Sequence, residues 1–374
     1  MIQDLEKREV EIVYKPNAHF LITGKSGTGK TFYCCRKLEE ELRKNKAMLL
    51  IDYSSSYTEK ELQKNKFQYR RGTEIFDISD GKGMTFHLDT RNMTGTVTDA
   101  LIHALDIKSY YQKKILNEAI VKTICIFKCL KIEQLFSCLE RMGEMEEVGA
   151  EYKKNVGHLL TRLAPYKEMC AICFKAVKKE KIAKVAGLTI IQLSSFPKLQ
   201  RKFLTNFLLE VIWREVRGGH QKWDFILLDE FQNLSVRSGT ALSAMLREGR
   251  KFGLGVWLSS QFLGNYSREE MDTLMQAGNM MFFKPVEREM RLIASMIDYN
   301  EISIWRNILQ DLQVGEAVLK GRYCLKTNRR EVETPIICKI EKTKEEVKVS
   351  IKKRRRRLEL CTMQHVMMLK GIHY

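Results

Sequence analysis

Short, continuous apolar runs recur along the chain and predict buried strands. They are HFLIT (19–23), AMLLI (47–51), GLTIIQL (187–193), FILLD (225–229), LGVWLSS (254–260) and MMFFK (280–284). Because these runs lack the alternation of half-exposed strands, they are typical of a parallel sheet that is covered on both faces. The amphipathic stretches that separate them include 30–44, 198–216 and 239–251. The pattern predicts an α/β fold with a mainly parallel central sheet and right-handed crossovers.

One region interrupts this alternation. Residues 96–184 contain no convincing strand, and apolar side chains from Ile115 to Leu130 recur at helical spacing. We therefore expect an all-helical insertion at 96–184, which divides the α/β core into residues 1–95 and 185–336.

The charge of the chain is strongly positive. It has 374 residues, with 64 Lys and Arg against 46 Asp and Glu, which gives a formal net charge of +18. Residues 337–374 mix charged side chains with little periodicity around KKRRRR (352–357), and we expect a flexible basic tail. An excess of this kind suits a polyanionic partner, with a solvated surface as the alternative. No run of about 18 apolar residues occurs and the N-terminus is charged, so we expect a cytoplasmic protein without a membrane anchor.

A phosphate-binding motif follows the first predicted strand. The pattern G-x-x-x-x-G-K-[ST] is matched at every position by Gly24, Lys25, Ser26, Gly27, Thr28, Gly29, Lys30 and Thr31. The motif opens a predicted helix, which is the context that it requires. Its backbone amides form an anion-binding concavity at the helix N-terminus. Lys30 is expected to bridge the terminal phosphates of ATP, and Thr31 to offer its hydroxyl to Mg²⁺.

An acidic pair ends the buried strand at 225–229. Asp229 is predicted to hold the Mg²⁺ shell through a water. Glu230 is predicted to polarise the attacking water, a role that nucleotide binding alone does not need. The alternative is a strand end followed by a helix cap, where Asp and Glu are also common. The pair favours hydrolysis over phosphoryl transfer to a small acceptor.

Polar residues flank the strand at 254–260. Gln261 follows it and is predicted to sense the γ-phosphate, with a polar residue that begins a loop as the alternative. Arg247 and Arg250 precede it, and they are either solvated or paired with acids such as Glu248. A more specific hypothesis is that they reach the nucleotide of a neighbouring subunit, where a guanidinium stabilises charge in the transition state. That hypothesis requires an oligomer with nucleotide at its subunit interfaces.

Two segments are candidates for contact with DNA. Residues 53–71 mix aromatic and basic side chains and are consistent with a channel-facing loop, although a solvated helix-turn segment is the favoured interpretation. The KKRRRR run (352–357) is the second candidate, with a solvated tail as its alternative.

The ordered set of motifs resembles the HerA/FtsK superfamily of RecA-like, ring-forming ATPases, and most of all its HerA branch and the type IV secretion ATPases. The segments that carry the resemblance, over roughly residues 15–320, are GKSGTGKT (24–31), Ile51-Asp52, GLTIIQLSS (187–195), LLDEFQN (227–233), LREGRKFGLGVWLSSQ (246–261) and Val314-Gly315-Glu316-Ala317. The resemblance implies a RecA-like P-loop NTPase fold, hexamers with a central channel, and ATP-driven movement of DNA.

The resemblance also implies roles for single residues. It assigns the phosphates to Lys30, magnesium to Thr31 and Asp229, catalysis to Glu230, the sensor to Gln261, and the arginine region that faces the neighbour to Arg250 and Arg247. HerA proteins carry an N-terminal β-barrel before this core, whereas here the phosphate loop starts at residue 24. We therefore expect the contacts that the barrel supplies to come from elsewhere.

The resulting prediction is an ATP-hydrolysing DNA translocase or helicase motor that works as a homo-hexamer, with Mg²⁺-ATP at each interface. Its DNA is expected to be duplex and bound without sequence preference. The sequence carries no recognisable nuclease motif, so a separate effector such as a nuclease is expected, and short HerA-like proteins of this kind resemble components of bacterial antiviral defence. Two alternatives stay open: an ATP-dependent assembly scaffold for a partner effector, and an ATPase that energises secretion or conjugation at a membrane.

Overall fold

The computed structural model describes residues 2–67, 72–77, 84–89, 92–167, 172–177, 187–326 and 330–340. Its strands are β1 (Ile2–Asp4), β2 (Val10–Ile12), β3 (Phe20–Thr23), β4 (Ala47–Asp52), β5 (Thr73–Asp77), β6 (Met84–Asp89), β7 (Cys129–Leu130), β8 (Ile172–Val177), β9 (Gly187–Gln192), β10 (Phe225–Leu228), β11 (Gly255–Ser260), β12 (Asn279–Phe283), β13 (Glu316–Gly321), β14 (Tyr323–Leu325), β15 (Glu331–Val332) and β16 (Ile336–Ile340). Its helices are α1 (Lys30–Arg43), α2 (Glu59–Lys64), α3 (Met93–Ala104), α4 (Tyr110–Phe127), α5 (Ile132–Glu144), α6 (Ala150–Leu163), α7 (Lys198–Arg217), α8 (Ala241–Glu248), α9 (Arg268–Leu274), α10 (Met290–Ile297) and α11 (Ile302–Asp311).

A large sheet forms the centre of the fold. Among the described residues it has ten strands, in the order β1-β16-β13-β12-β3-β11-β10-β4-β9-β5. Neighbouring strands run parallel from β12 to β5, and β13, β16 and β1 add antiparallel pairs at one side. Each of the six strands predicted from apolar runs is present within one residue of its predicted bounds. The expected α/β architecture with a mainly parallel sheet is confirmed.

The strands are continuous in apolar residues because both faces of the sheet are covered. Phe20 and Ile22 of β3 pack in one core with Tyr33 of α1, whereas Leu21 packs in a second core with Leu208 of α7. Successive side chains of a strand face opposite sides, so each central strand contributes to both cores. The three predicted amphipathic helices correspond to α1, α7 and α8 with the short 3-10 turn that follows it.

The insertion is built mainly from helices, but the prediction that it is all-helical is wrong. β7 and β8 lie within it and pair with each other, and β8 also pairs with β6. β7 has only two residues, and Lys175 interrupts the apolar residues of β8, so neither strand forms the continuous apolar run that marks the others. Phe174 of β8 is buried against Phe207 of α7, with 5.3 Å between ring centroids. This contact joins the small sheet to the core.

The predicted start of the basic tail at residue 337 is also wrong. β16 pairs with β13 and β1, so residues up to 340 belong to the central sheet. Cys338 and Ile340 are buried while Lys339 is exposed, and such a short alternation is hidden among charged neighbours. Residues 341–374, including the KKRRRR run, lie outside the described residues. In the part of the chain that the structure describes, no helix is long and apolar enough to cross a membrane.

Candidate active site

The phosphate loop joins β3 to α1 at the carboxyl end of the parallel strands. Gly24 has a φ of +150°, and a Cβ there would lie 2.6 Å from the Cβ of Phe283 on β12. Gly29 has a φ of +112° and directly precedes Lys30, the first residue of α1. Glycine alone tolerates this combination of backbone conformation and close approach. The predicted loop, residues 24–31, thus presents the unpaired amides of a helix N-terminus, which bind phosphate.

Lys30 is almost fully buried beside this loop. Its ammonium donates hydrogen bonds to the carbonyl oxygens of Gly24 at 2.5 Å and Lys25 at 3.1 Å. Burial lowers the pKa of Lys30, and the charges of Glu230 and Asp229 act in the opposite sense. The structure therefore brings the predicted lysine within electrostatic reach of both predicted carboxylates.

Asp229 lies buried directly after β10. Ser54, from the loop after β4, donates its hydroxyl hydrogen to Asp229 Oδ2 at 2.7 Å. Burial raises the pKa of Asp229 to about 7, and the charges of Glu230 and Asp52 also raise it. Hydrogen bonds from Ser54 and Ser259 act in the opposite direction. Without a cation beside it, burial therefore favours the protonated form of this carboxyl.

Asp52, at the end of β4, shapes the loop that carries Ser54. Its carboxylate accepts hydrogen bonds from the backbone amides of Ser54 and Ser56 at 3.1 Å and of Tyr57 at 2.9 Å. Burial raises the pKa of Asp52, and these amides oppose that rise. The turn holds the Ser54 hydroxyl against Asp229, so the end of β4 positions a partner of the predicted metal ligand.

Among the described residues of the candidate DNA-contact segment 53–71, the aromatic side chains are buried. Tyr53, Tyr57 and Phe67 have exposed fractions of 4%, 0% and 7%, so they cannot stack on bases. The segment contains α2, as the helix-turn interpretation predicts. Residues 68–71 lie outside the described residues.

Glu230 adopts a left-handed backbone conformation, with φ +53° and ψ +42°. This conformation is uncommon for a residue other than glycine, and it turns the chain sharply after β10. Gln261 Nε2 donates a hydrogen bond to Glu230 Oε1 at 2.7 Å, and Gln232 Nε2 donates to Glu230 Oε2. Both carboxylate oxygens are therefore oriented, one of them by the predicted sensor residue at the end of β11.

Gln232 is a site residue that the sequence reasoning missed. The Ser260 hydroxyl lies 2.8 Å from Gln232 Oε1, so the amide links Glu230 to the end of β11. The 3-10 turn Phe231–Asn233 folds Gln232 back onto Glu230. The segment LLDEFQN (227–233) contains this residue, but its spacing alone does not distinguish Gln232 from an ordinary loop residue.

The donor set suits a nucleotide with Mg²⁺. The Thr31 hydroxyl and the Asp229 carboxylate are hard oxygen ligands, and Mg²⁺ prefers such ligands together with retained waters and phosphate oxygens. Among the described residues, no group of three or more His, Cys, Asp and Glu side chains is placed to hold a metal ion.

Arg247 and Arg250 lie near the amino end of β11, at the opposite end of the parallel strands from the site. The turn Gly249–Phe252 packs against His19 at the amino end of β3, and β11 then runs through six residues towards the site. At about 3.3 Å per residue this path is roughly 20 Å, longer than an arginine side chain. Both arginines are exposed, and Arg247 Nη2 is 3.5 Å from Thr273 Oγ1. The structure therefore does not bring them to the site of their own chain, and it leaves both at the surface.

The raised pKa of Asp229 predicts a pH-dependent effect on stability in metal-free protein. Between the ordinary value of 3.8 and about 7 the folded state binds more protons at this carboxyl than the unfolded state, so the folded state loses stability as the pH rises through that window. Asp229→Asn removes the ionisation and keeps an acceptor for Ser54. We expect it to raise the free energy of unfolding more at pH 8 than at pH 5, by on the order of 3 kcal/mol.

Thermal or urea unfolding in the presence of a chelator measures this difference. Asp311→Asn, at an exposed position, is the matched control and is expected to show no such pH dependence. An equal effect of Asp229→Asn at both pH values would contradict the assignment of a buried, poorly solvated carboxyl.

Comparison with known proteins agrees with this architecture. Residues 12–212, which are 201 of the 374 residues, match the family described as the helicase HerA central domain. Among solved structures, VirB4 of Thermoanaerobacter pseudethanolicus is similar, with 15% identity, a TM-score of 0.64, and coverage of 92% of this chain and 96% of that one. No match was found among curated proteins.

The bacterial conjugative coupling protein TrwB is also similar. Its unbound form shares 14% identity, with a TM-score of 0.58 and coverage of 85% of this chain and 84% of that one. TrwB in complex with ADP and Mg²⁺ shares 14% identity, with a TM-score of 0.56 and coverage of 87% and 86%. At these identities the likeness shows the fold, and the predicted RecA-like P-loop architecture is confirmed.

Proposed function

This chain belongs to the family of the HerA helicase central domain, and from that premise we propose that it is an ATP-driven motor that moves along DNA. The orientation of the Glu230 carboxylate supports this proposal. Its two oxygens accept hydrogen bonds from Gln261 and Gln232, and its charge acts on Lys30. A carboxylate held in this way is placed to accept a proton from a water that attacks a terminal phosphate.

Each residue of the site has a separate role in the proposed hydrolysis. ATP with Mg²⁺ supplies the reactive phosphoryl group and a cation that neutralises its oxygens. Lys30 and the loop amides bind and orient the phosphates, while Thr31 and Asp229 hold the metal. Glu230 polarises the water. Gln261 contacts Glu230 from the tip of β11, so a change in its hydrogen bonds after phosphate release is passed to that strand.

The positions of Arg247 and Arg250 support a ring of identical subunits. They are exposed and far from their own nucleotide site, so they are available to the site of a neighbouring copy, and a head-to-tail ring joins two different surfaces of identical subunits. In the proposal the ring is a homo-hexamer, and a guanidinium from the neighbouring copy completes each site. A planar cation there stabilises the charge that develops on the transferred phosphoryl group.

The charge of the chain supports DNA as the track. A net charge of +18 suits a duplex that is bound through its phosphates without sequence preference. We propose that the motor delivers this DNA to a separate effector subunit, such as a nuclease, in a bacterial antiviral defence system.

A second candidate function is an ATP-dependent scaffold, and a feature of the insertion favours it. Helix α4 exposes Tyr110, Tyr111, Ile126 and Phe127, with exposed fractions from 44% to 75%. Tyr110 and Tyr111 begin this 18-residue helix and Ile126 and Phe127 end it, so each end offers a small exposed apolar site to a partner protein. In this case ATP binding drives assembly and DNA does not affect turnover.

Phosphate release measured with and without duplex DNA separates the two functions. For a motor we expect a several-fold rise with DNA that weakens as salt is added, because phosphate contacts release counterions. Light scattering in the presence of ATP is expected to give the mass of a hexamer. Equal rates with and without DNA over a range of salt would contradict the motor and support the scaffold. A monomer under all nucleotide conditions would contradict both.

A further inference from the structure

A loop is bonded to the phosphate loop on the side away from Glu230. This loop has no role in the proposed hydrolysis. It comprises residues 312–315, between α11 and β13. The amide of Gly315 donates a hydrogen bond to the Thr28 carbonyl at 2.9 Å, and the amide of Ile340 donates to the Gly315 carbonyl at 2.8 Å. A Cβ at Gly29 would lie only 3.5 Å from Gly315 Cα. The loop is thus anchored between β16 and the phosphate loop.

Val314 is the exposed side chain of this loop. Its exposed fraction is 75%, whereas Leu312 on the same loop is 4% exposed and packs in the core. A single exposed aliphatic residue is ordinary on a protein surface, so exposure alone indicates nothing. The position of Val314 is what distinguishes it, because the next residue is bonded to the phosphate loop itself.

The order of the strands determines how a nucleotide lies along the phosphate loop. Glu230 and Gln261 follow β10 and β11, which lie on one side of β3. β12 and β13 lie on the other side, and β13 follows the loop that carries Val314. The proposed function places the terminal phosphate at Glu230, so the rest of the nucleotide is expected to extend away from β10 and β11 towards β12 and β13. On this placement the base leaves the phosphate loop on the side of Val314.

We infer that Val314 covers the base of the bound nucleotide through apolar contact. This inference rests on the proposed function and extends it to the part of the substrate that the phosphate loop does not recognise. An aliphatic side chain makes no hydrogen bond to the edge of a base, so its contribution to affinity is shared by adenine and guanine. Val314 therefore strengthens the binding of purine nucleotides without selecting between the two purines.

Comparing the affinities of two ligands distinguishes a contact with the base from a contact with the phosphates. Mg²⁺-ATP has a base, whereas Mg²⁺-tripolyphosphate has the phosphates alone, and calorimetry gives the dissociation constant of each. Val314→Ser removes the methyl groups without adding charge. We expect it to weaken the binding of ATP and of GTP by roughly fivefold, equivalent to about 1 kcal/mol, and to change tripolyphosphate binding by less than about twofold. Val314→Ile, which keeps the apolar surface, is expected to bind ATP as the wild type does.

Several results would contradict a contact between Val314 and the base. Unchanged ATP affinity in Val314→Ser would overturn it, and so would an equal loss for tripolyphosphate, which would show a general disturbance of the phosphate loop. Light scattering on the same samples tests a contact with a second copy of the chain, and impaired assembly with unchanged ATP affinity would also overturn the inference. If the wild type bound neither ligand, the proposed function itself would fail, and this result is distinct from the others.

Discussion

Glu230→Gln is expected to reduce ATP hydrolysis by roughly 10²–10⁴-fold while Mg²⁺-ATP still binds. The amide has the size of the carboxylate, and its oxygen can still accept the hydrogen bond from Gln261. It cannot take a proton from the attacking water, so the loss falls on the chemical step and spares substrate affinity. Phosphate release under saturating ATP, together with a calorimetric dissociation constant, measures both quantities.

Glu269→Gln is the matched control for this variant. Glu269 is an exposed residue in the first turn of α9, and we expect its replacement to leave hydrolysis unchanged. Hydrolysis by Glu230→Gln at more than a tenth of the wild-type rate would contradict the role of Glu230. A parallel loss of ATP binding would show instead that the site has lost its structure.

Lys30→Met is expected to weaken the binding of Mg²⁺-ATP by about 10²-fold or more, because it removes a charge-assisted hydrogen bond to the terminal phosphates. Methionine keeps much of the buried apolar stem. Burial lowers the pKa of Lys30, so the fold itself gains little from this charge. We therefore expect the melting temperature of nucleotide-free protein not to fall.

Lys60→Met, on the exposed surface of α2, removes the same charge away from the site and should bind ATP normally. An ATP affinity of Lys30→Met within about threefold of the wild type would exclude Lys30 as the main phosphate ligand. A large fall in melting temperature would mean that the lysine serves the fold first.

Six adjacent strands of the central sheet, from β12 to β9, were predictable because they are buried between two cores. Continuous apolar runs, such as Phe225–Leu228, mark strands that contact two cores, and this signal needs only a few residues. The strands that escaped prediction carry a weaker signal. β7 has two residues, and β16 alternates buried and exposed positions beside a charged stretch. Their pairing depends on distant partners, which local periodicity does not reveal.

The residues of the candidate site were predictable where they belong to a contiguous motif or directly follow a strand. Lys30 belongs to the phosphate loop, and Asp229 and Gln261 follow strands that end at the same edge of the sheet. Gln232 was not predictable, because it reaches Glu230 only through the left-handed turn at Glu230 itself. Val314 escaped as a site candidate for a similar reason, since its place beside the phosphate loop depends on a backbone hydrogen bond across the sheet.

A mixing experiment tests whether each nucleotide site is shared by two copies of the chain. One inactive variant, Glu230→Gln, keeps its arginines; the other, with Arg247→Ala and Arg250→Ala, keeps its carboxylate. In rings assembled from equal amounts, about a quarter of the interfaces join an intact Glu230 to intact arginines of the next copy. We expect ATP hydrolysis, which is nearly abolished in each variant alone, to return in the mixture. A mixture that assembles into rings and stays inactive would contradict a shared site.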